Sequence, residues 1–179
     1  MRILLLAVLA LAGCKAPEAP ADFASYAHPG GWFTAGIPRG WEVQQRGRET
    51  NPGIQVLAPA QVEGAVRHSI AIYFYRESHR KFPTIAQYLA EKALPIPGRS
   101  MTPVTSITVN GMAGKQFEAT RPIPQIPELP PVEGELKSRS VLLQGDKGFY
   151  LFRYTSRLEE FDRYRETFEQ VLKSLKPKA

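Results

Sequence analysis

Residues 67–76, RHSIAIYFYR, constrain the fold more than any other segment. In an extended chain His68, Ile70, Ile72 and Phe74 point to one side and Ser69, Ala71, Tyr73 and Tyr75 to the other. Both sides are apolar. Such a strand belongs inside a sheet and needs a covering layer above and below. The 179 residues suffice for one medium domain and not for two ordinary ones. With 43% hydrophobic and 22% charged residues, the chain can bury a core, which excludes disorder along its whole length. No G-x-y repeat and no long heptad run is present, which excludes collagen and coiled coil. A single cysteine excludes a disulfide framework within the chain.

Further strands are expected over residues 31–37, 41–44 and 54–57, with Pro38-Arg39-Gly40 turning the first into the second. The period then changes. Thr84 and Gln87 have capping-box spacing, and Ile85, Tyr88 and Leu89 form an apolar helical stripe that Pro95 and Pro97 end. Strands at 104–109 and 115–120 flank Asn110-Gly111, a hairpin signal that Met112-Ala113-Gly114 could lengthen. Strands at 136–143 and 149–154 flank Gly145-Asp146-Lys147-Gly148. A long final helix is expected from a second capping box, Ser156 and Glu159. Leu158, Phe161, Tyr164, Phe168, Val171, Leu172 and Leu175 line its inner face, and Pro177 stops it. The expected class is α+β: one antiparallel β-sheet with α-helices packed on it.

The chain opens with Met1-Arg2, a nine-residue apolar run from Ile3 to Leu11, and Leu11-Ala12-Gly13-Cys14. This is the layout of a signal peptide. The run is too short to span a bilayer, which needs roughly 20 residues. Its end resembles the bacterial lipobox, in which the cysteine is acylated and the chain is cut before it. An ordinary signal peptide with an incidental cysteine is the alternative. Cys14 is the sole cysteine, and an exported chain has little other use for one thiol. The expected organisation is a lipoprotein signal peptide over 1–13, a lipidated Pro/Ala tether over 14–22, and an α+β domain over 23–179. Attachment to the membrane would run through the lipid on Cys14, at about 0.8 kcal/mol per buried methylene. The eight residues after Cys14, KAPEAPAD, reach on the order of 25 Å when extended, which keeps the domain near the membrane.

Gly31-Trp32-Phe33, Ile37-Pro38 and Trp41 resemble the opening of PsbP-like proteins, and Val109-Asn110-Gly111 resembles their central hairpin. Gly148-Phe149-Tyr150, Tyr154, Phe161, Tyr164, Phe168 and Leu172-Lys173-Ser174-Leu175-Lys176 resemble their last strand and helix. The resemblance implies the Mog/PsbP-like αβα sandwich and a non-enzymatic role in binding or assisting a larger assembly. With the lipobox it points to the DcrB-like bacterial envelope lipoproteins. Lys15 follows the cysteine, where proteobacterial lipoproteins retained at the inner membrane often carry Asp. The expected location is therefore the periplasm-facing outer membrane, if the host has one. The proline-rich stretch 121–134 departs from the family pattern.

No catalytic constellation stands out. The thiol is claimed by lipid, no G-x-S-x-G occurs, and no serine sits in a motif. His28, His68 and His79 lack metal-ligand spacing, and Glu159, Glu160, Glu166 and Glu169 read as a solvated helix face. No cofactor or metal is expected. The formal charge of +6 is spread from Arg39 to Lys178 among acids, so attraction to an anionic envelope surface fits better than nucleic acid.

The segment RPIPQIPELPPVEG (121–134) repeats Pro124, Pro127 and Pro130 every three residues, and Ile123, Ile126 and Leu129 likewise. In polyproline II these make two ridges. Such an arm could present Pro124, Ile126, Pro127, Leu129 and Pro130 to a protein partner, with the aromatic sheet face at Tyr73 and Tyr75 as a second surface. Alternatively it is a connection that packs Ile123, Ile126 and Leu129 onto its own domain. The function expected is a membrane-anchored, non-enzymatic protein-binding or assembly-accessory module. The rival is a carrier or sensor holding an apolar or anionic small molecule between sheet and helix.

Overall fold

The alternation in residues 67–76 is realised in a strand whose two sides face two separate cores. A computed structural model describes residues 22–60, 66–125 and 131–178. The expected signal segment, Cys14 and most of the expected tether lie outside the described residues, as do Ile126, Pro127, Leu129 and Pro130 of the proline-rich stretch. In chain order the elements are β1 (Phe23–Ala27), β2 (Phe33–Pro38), β3 (Glu42–Arg46), β4 (Gly53–Leu57), β5 (Ser69–Arg76), α1 (Ile85–Ala93), β6 (Ser100–Met101), β7 (Thr105–Val109), β8 (Met112–Pro122), β9 (Glu135–Gly145) and β10 (Gly148–Arg157). A 3-10 helix (Leu158–Tyr164), α2 (Arg165–Lys173) and β11 (Lys176–Pro177) follow.

The described strands form an antiparallel eight-stranded sheet, ordered β3-β4-β5-β10-β9-β8-β6 with β7 also on β8, and a small sheet ordered β1-β2-β11. The expected α+β class therefore holds, but the single sheet becomes two. Pro38-Arg39-Gly40 reads locally as a hairpin turn. Instead Gly40, at φ +78°, sends the chain from β2 in one layer to β3 in the other. β1, β6 and β11 were not anticipated. Each is short and closes an edge that exists only once the larger strands have assembled.

Above the large sheet, Ile70, Ile72, Phe74, Val141, Leu143 and Phe152 meet Phe33, Ala35 and Ile37 of β2 and the C-terminal helical segment. Below it, Tyr75, Phe117, Leu142, Phe149 and Leu151 meet Tyr88 of α1. The parity read from residues 67–76 is thus correct on both faces. Gly148 opens β10 at φ +147°, where a Cβ would lie 1.9 Å from the Tyr75 carbonyl oxygen. Glycine is what lets β10 approach β5 there.

The Asn110-Gly111 turn is tighter than it needed to be. Both residues have positive φ (50° and 80°) and Val109 pairs directly with Met112, so Met112-Ala113-Gly114 belong to β8 and not to the turn. The Asn110 amide also donates to the Lys173 and Leu175 carbonyls (2.7 and 3.2 Å), tying this turn to the end of α2.

The two helices met their expectations unequally. Thr84 caps α1, its hydroxyl accepting from the Gln87 N–H at 3.2 Å. The Ser156–Glu159 capping box does not form. The buried Ser156 hydroxyl donates to the Arg157 carbonyl at 2.7 Å, and the chain begins its helical course as a 3-10 segment. Leu158, Phe161 and Tyr164 are spaced by three, which suits three residues per turn. Phe161 and Tyr164 are buried, whereas Leu158 is exposed and leaves the expected stripe.

Candidate functional site

α1 has nine residues, about 13 Å of helix, whereas the sheet beneath it is seven strands wide in sequence of pairing, on the order of 29 Å. It covers only part of that face. Where its roof stops, the floor strands change character. On β10 and β9 the residues facing α1 pass from Leu151 and Leu142 to Arg153, Thr155, Ser140 and Ser138.

The uncovered part is an open-sided hollow of about 540 Å³. Its walls include Ile96, Pro97, Met101, Phe117, Ile123 and Leu136, and Lys92, Arg99, Arg121 and Arg153 also line it. No Asp or Glu lines it among the described residues. Arg153 is anchored at the floor. Its Nε–H donates to the Ser140 hydroxyl at 3.2 Å, and an Nη–H donates to the Tyr88 hydroxyl. Arg99 donates to the Lys92 and Leu94 carbonyls, which closes the C-terminal end of α1 and holds the guanidinium at the rim. Burial, and then the nearby Arg153 and Arg99 charges, hold the Lys92 ammonium below its usual pKa. Burial pushes the Tyr88 phenol up to about 12, so it is neutral where it accepts from Arg153.

Arg153 also lines a second hollow, of about 490 Å³, with Arg48, Asn51, Tyr73, Tyr75 and His79. The structure thus brings together features that the sequence left unconnected. Pro124 lines the first hollow, Tyr73 and Tyr75 the second, and Arg153 joins them. Tyr75 is corrected as a surface residue. It is 8% exposed and its ring stacks on Phe149 (5.0 Å between centroids), because α1 lies over that part of the strand. Tyr73 is half-buried beside it, so the aromatic surface expected there reduces to Tyr73.

The proline-rich stretch is pinned at its neck. Gln125 donates to the Ile123 and Val132 carbonyls (2.9 and 2.8 Å) and accepts from the Val132 N–H at 3.1 Å. Ile123 is buried, as a packed connection requires, while Pro124 is exposed.

The histidines do not converge. The Nδ1 atoms of His28 and His79 accept from the Gly30 and Phe82 N–H groups, and His68 is buried against Tyr164 and Tyr154, 3.4 Å from Glu160. Among the described residues no group of three His, Cys, Asp or Glu side chains could hold a metal. A further hollow, of about 640 Å³, lies on the opposite face around Trp32, Phe74 and Tyr150, where Asp146 sits with Lys147 and Lys178.

Sequence reasoning missed the four cations, which are scattered from position 92 to 153. One signal was available. Arg153 interrupts Phe149-Tyr150-Leu151-Phe152, a strand otherwise apolar on both sides, and a cation there requires a special neighbourhood.

No protein-family model matches the chain, and no curated protein matches it. Solved structures do. The solution structure of PsbP (CyanoP) from Synechocystis sp. PCC 6803 superposes with a TM-score of 0.54 at 12% identity, covering 94% of this chain and 99% of that one. A protein of unknown function from Pseudomonas aeruginosa, designated a candidate regulator, gives 0.52 at 18% identity over 89% of this chain and 99% of that one. A Bacteroides thetaiotaomicron protein gives 0.53 at 15% identity; the match covers 87% of this chain and 48% of that one. At such identities the likeness is one of fold, and the fold is PsbP-like α+β.

Proposed function

We propose that this chain is a lipid-anchored, non-enzymatic binding protein of the bacterial cell envelope, tethered through Cys14 and acting on a protein partner or assembly. The anchor rests on the signal layout and lipobox at Leu11-Ala12-Gly13-Cys14. The binding role is carried by one observation: the α1 face keeps an open, amphipathic hollow. Ile96 (52% exposed) and the exposed Pro124 both line it, and Leu94 (55% exposed) stands in solvent two residues before Ile96. Apolar side chains next to a recess are the composition of a docking surface. The two serine hydroxyls within it also favour binding over nucleophilic chemistry. Ser138 donates weakly to the Ala119 carbonyl (3.4 Å) and Ser140 accepts from Arg153, so neither is activated by a base.

A second reading, a carrier of a small anionic or apolar molecule, is favoured by the same hollow because it lies between sheet and helix and is lined by cations. Crosslinking of the full chain in its own membranes, with Cys14→Ser as comparison, tests the first reading. The expected result is acylation and membrane retention that Cys14→Ser abolishes, and a reproducible partner crosslinked near residues 94–97 and 121–134. Retention without acylation would remove the anchor. Capture of abundant lipoproteins alone, with no crosslink on the α1 face, would remove the docking role.

A further inference from the structure

We propose that the hollow beside α1 is a binding site for a phosphate monoester carrying an apolar group. This deepens the small-molecule reading of that hollow and does not depend on the lipid anchor. The argument starts from charge. On the upper face of the same sheet the cations are matched: Lys137 meets Glu118 at 2.7 Å, and Arg139 meets Glu169. Among the described residues, Lys92, Arg99, Arg121 and Arg153 in the hollow form no ion pair, and no carboxylate lines the space they share. The guanidinium groups are held there by neutral partners, two hydroxyls for Arg153 and two carbonyls for Arg99, and Glu91, whose charge acts on Lys92, is itself paired with Lys81. Repulsion among the cations is felt at Lys92, where both Arg153 and Arg99 disfavour the protonated form. A bound anion relieves it.

The composition of the site selects the anion. Three guanidinium groups present planar forks that suit phosphate or carboxylate oxygens, and Lys92 adds a point charge. A carboxylate brings one charge to this cluster, whereas a phosphate monoester brings about −1.5 to −2 near neutral pH. The size selects the rest. A space of about 540 Å³ is that of an organic ligand and far exceeds a bare phosphate. Ile96, Met101, Phe117 and Leu136 line the same hollow and offer apolar surface beside the cations. The phosphate would therefore lie at Arg153 and Arg99, with its substituent against that surface. Such a group could come from a soluble phosphate monoester or from a lipid with a terminal phosphate headgroup.

The test is calorimetric titration of the full chain in neutral detergent with naphthyl phosphate, against inorganic phosphate and naphthol as the two half-probes. The expected result is that naphthyl phosphate binds more tightly than either half. Arg153→Gln and Arg99→Gln should each weaken it roughly tenfold or more. Arg46→Gln, on β3 at the far edge of the sheet, removes the same charge and should leave binding unchanged. Thermal melts establish that each variant is folded. Should Arg153→Gln not fold, the exposed Arg121→Gln carries the comparison. Binding no tighter than that of naphthol, or a loss in Arg46→Gln equal to that in Arg99→Gln, would overturn the proposal. Repeating the titration with the chain in phosphatidylcholine nanodiscs separates the sources. Loss of probe binding when phosphatidic acid is included supports the lipid source, and unchanged binding supports the soluble one. Partner capture that persists without any phosphate binding would remove this inference and leave the docking reading standing.

Discussion

The upper face of the large sheet is roofed by the small sheet and the C-terminal helical segment, whereas among the described residues the lower face is roofed by the single helix α1 with Phe82 from the loop before it. The two faces handle charge differently. Arg139 on β9 points up, to Glu169 on α2 and over the Phe168 ring. Arg153 on β10 points down, to a phenol and a serine. Both are arginines in central strands of one sheet. The upper one was given a carboxylate by the helix that covers it, and the lower one lies where the covering helix has ended. A complete roof supplies counter-charges along with apolar area. A short roof leaves cations at its margin that meet neutral groups and, among the described residues, no carboxylate.

That contrast makes distinct demands on experiment. The largest expected effect is on the upper face. Phe152→Ala removes a fully buried ring where sheet and roof meet and should cost about 3–5 kcal/mol in urea unfolding. A loss under about 1 kcal/mol would mean that the roof is loosely packed and that the contrast is false.

Alkaline pH probes both faces together. Tyr154 under the upper roof and Tyr88 under α1 are both pushed up to about 12, chiefly by burial, from an ordinary 10.0. Between those values the unfolded chain gives up protons that the folded chain keeps. Stability contributed by these groups is therefore intact below pH 10.0 and lost as pH rises through about 12, by up to about 3 kcal/mol for each residue. Tyr154→Phe and Tyr88→Phe should each flatten the decline in unfolding free energy across this window. A decline unchanged in Tyr88→Phe would show that the α1 roof leaves this phenol accessible to water.

The smallest effect separates the two roofs most cleanly. Thr84→Ala removes the cap of α1 at a cost of about 1 kcal/mol. Hydrogen exchange should quicken in residues 85–93 and stay unchanged in 165–173. Equal acceleration in both helices would mean that the two faces open as one unit.

Much of this fold was legible in advance, for a physical reason. The alternation in residues 67–76, the Thr84 cap and the Asn110-Gly111 turn are all set by contacts within a few residues of the chain. Local readings failed where an alternative local geometry fitted equally well. Leu158, Phe161 and Tyr164, spaced by three, suit a 3-10 helix as readily as an α-helix stripe, and packing chose the former. The turn at Pro38-Arg39-Gly40 serves a hairpin or a change of layer, and the second was taken. Of the expected surface residues, Pro124 and Tyr73 remain accessible. Tyr75 went to the core, because a strand with two apolar sides does not reveal how far each roof extends.

By itself the sequence determined the longer strands, which residues share a side of β5, and where α1 begins, since these follow from backbone geometry and side-chain period. The expected lipobox at Leu11-Ala12-Gly13-Cys14 is likewise a pattern read without any fold. The tertiary structure alone decided that one face would be roofed in full and the other in part. It alone brought Lys92, Arg99, Arg121 and Arg153 around one hollow. Those four residues come from the end of a helix, a loop and two strands, and nothing in their spacing along the chain encodes their meeting. Their proximity is a consequence of sheet order and helix length, which are settled by long-range packing.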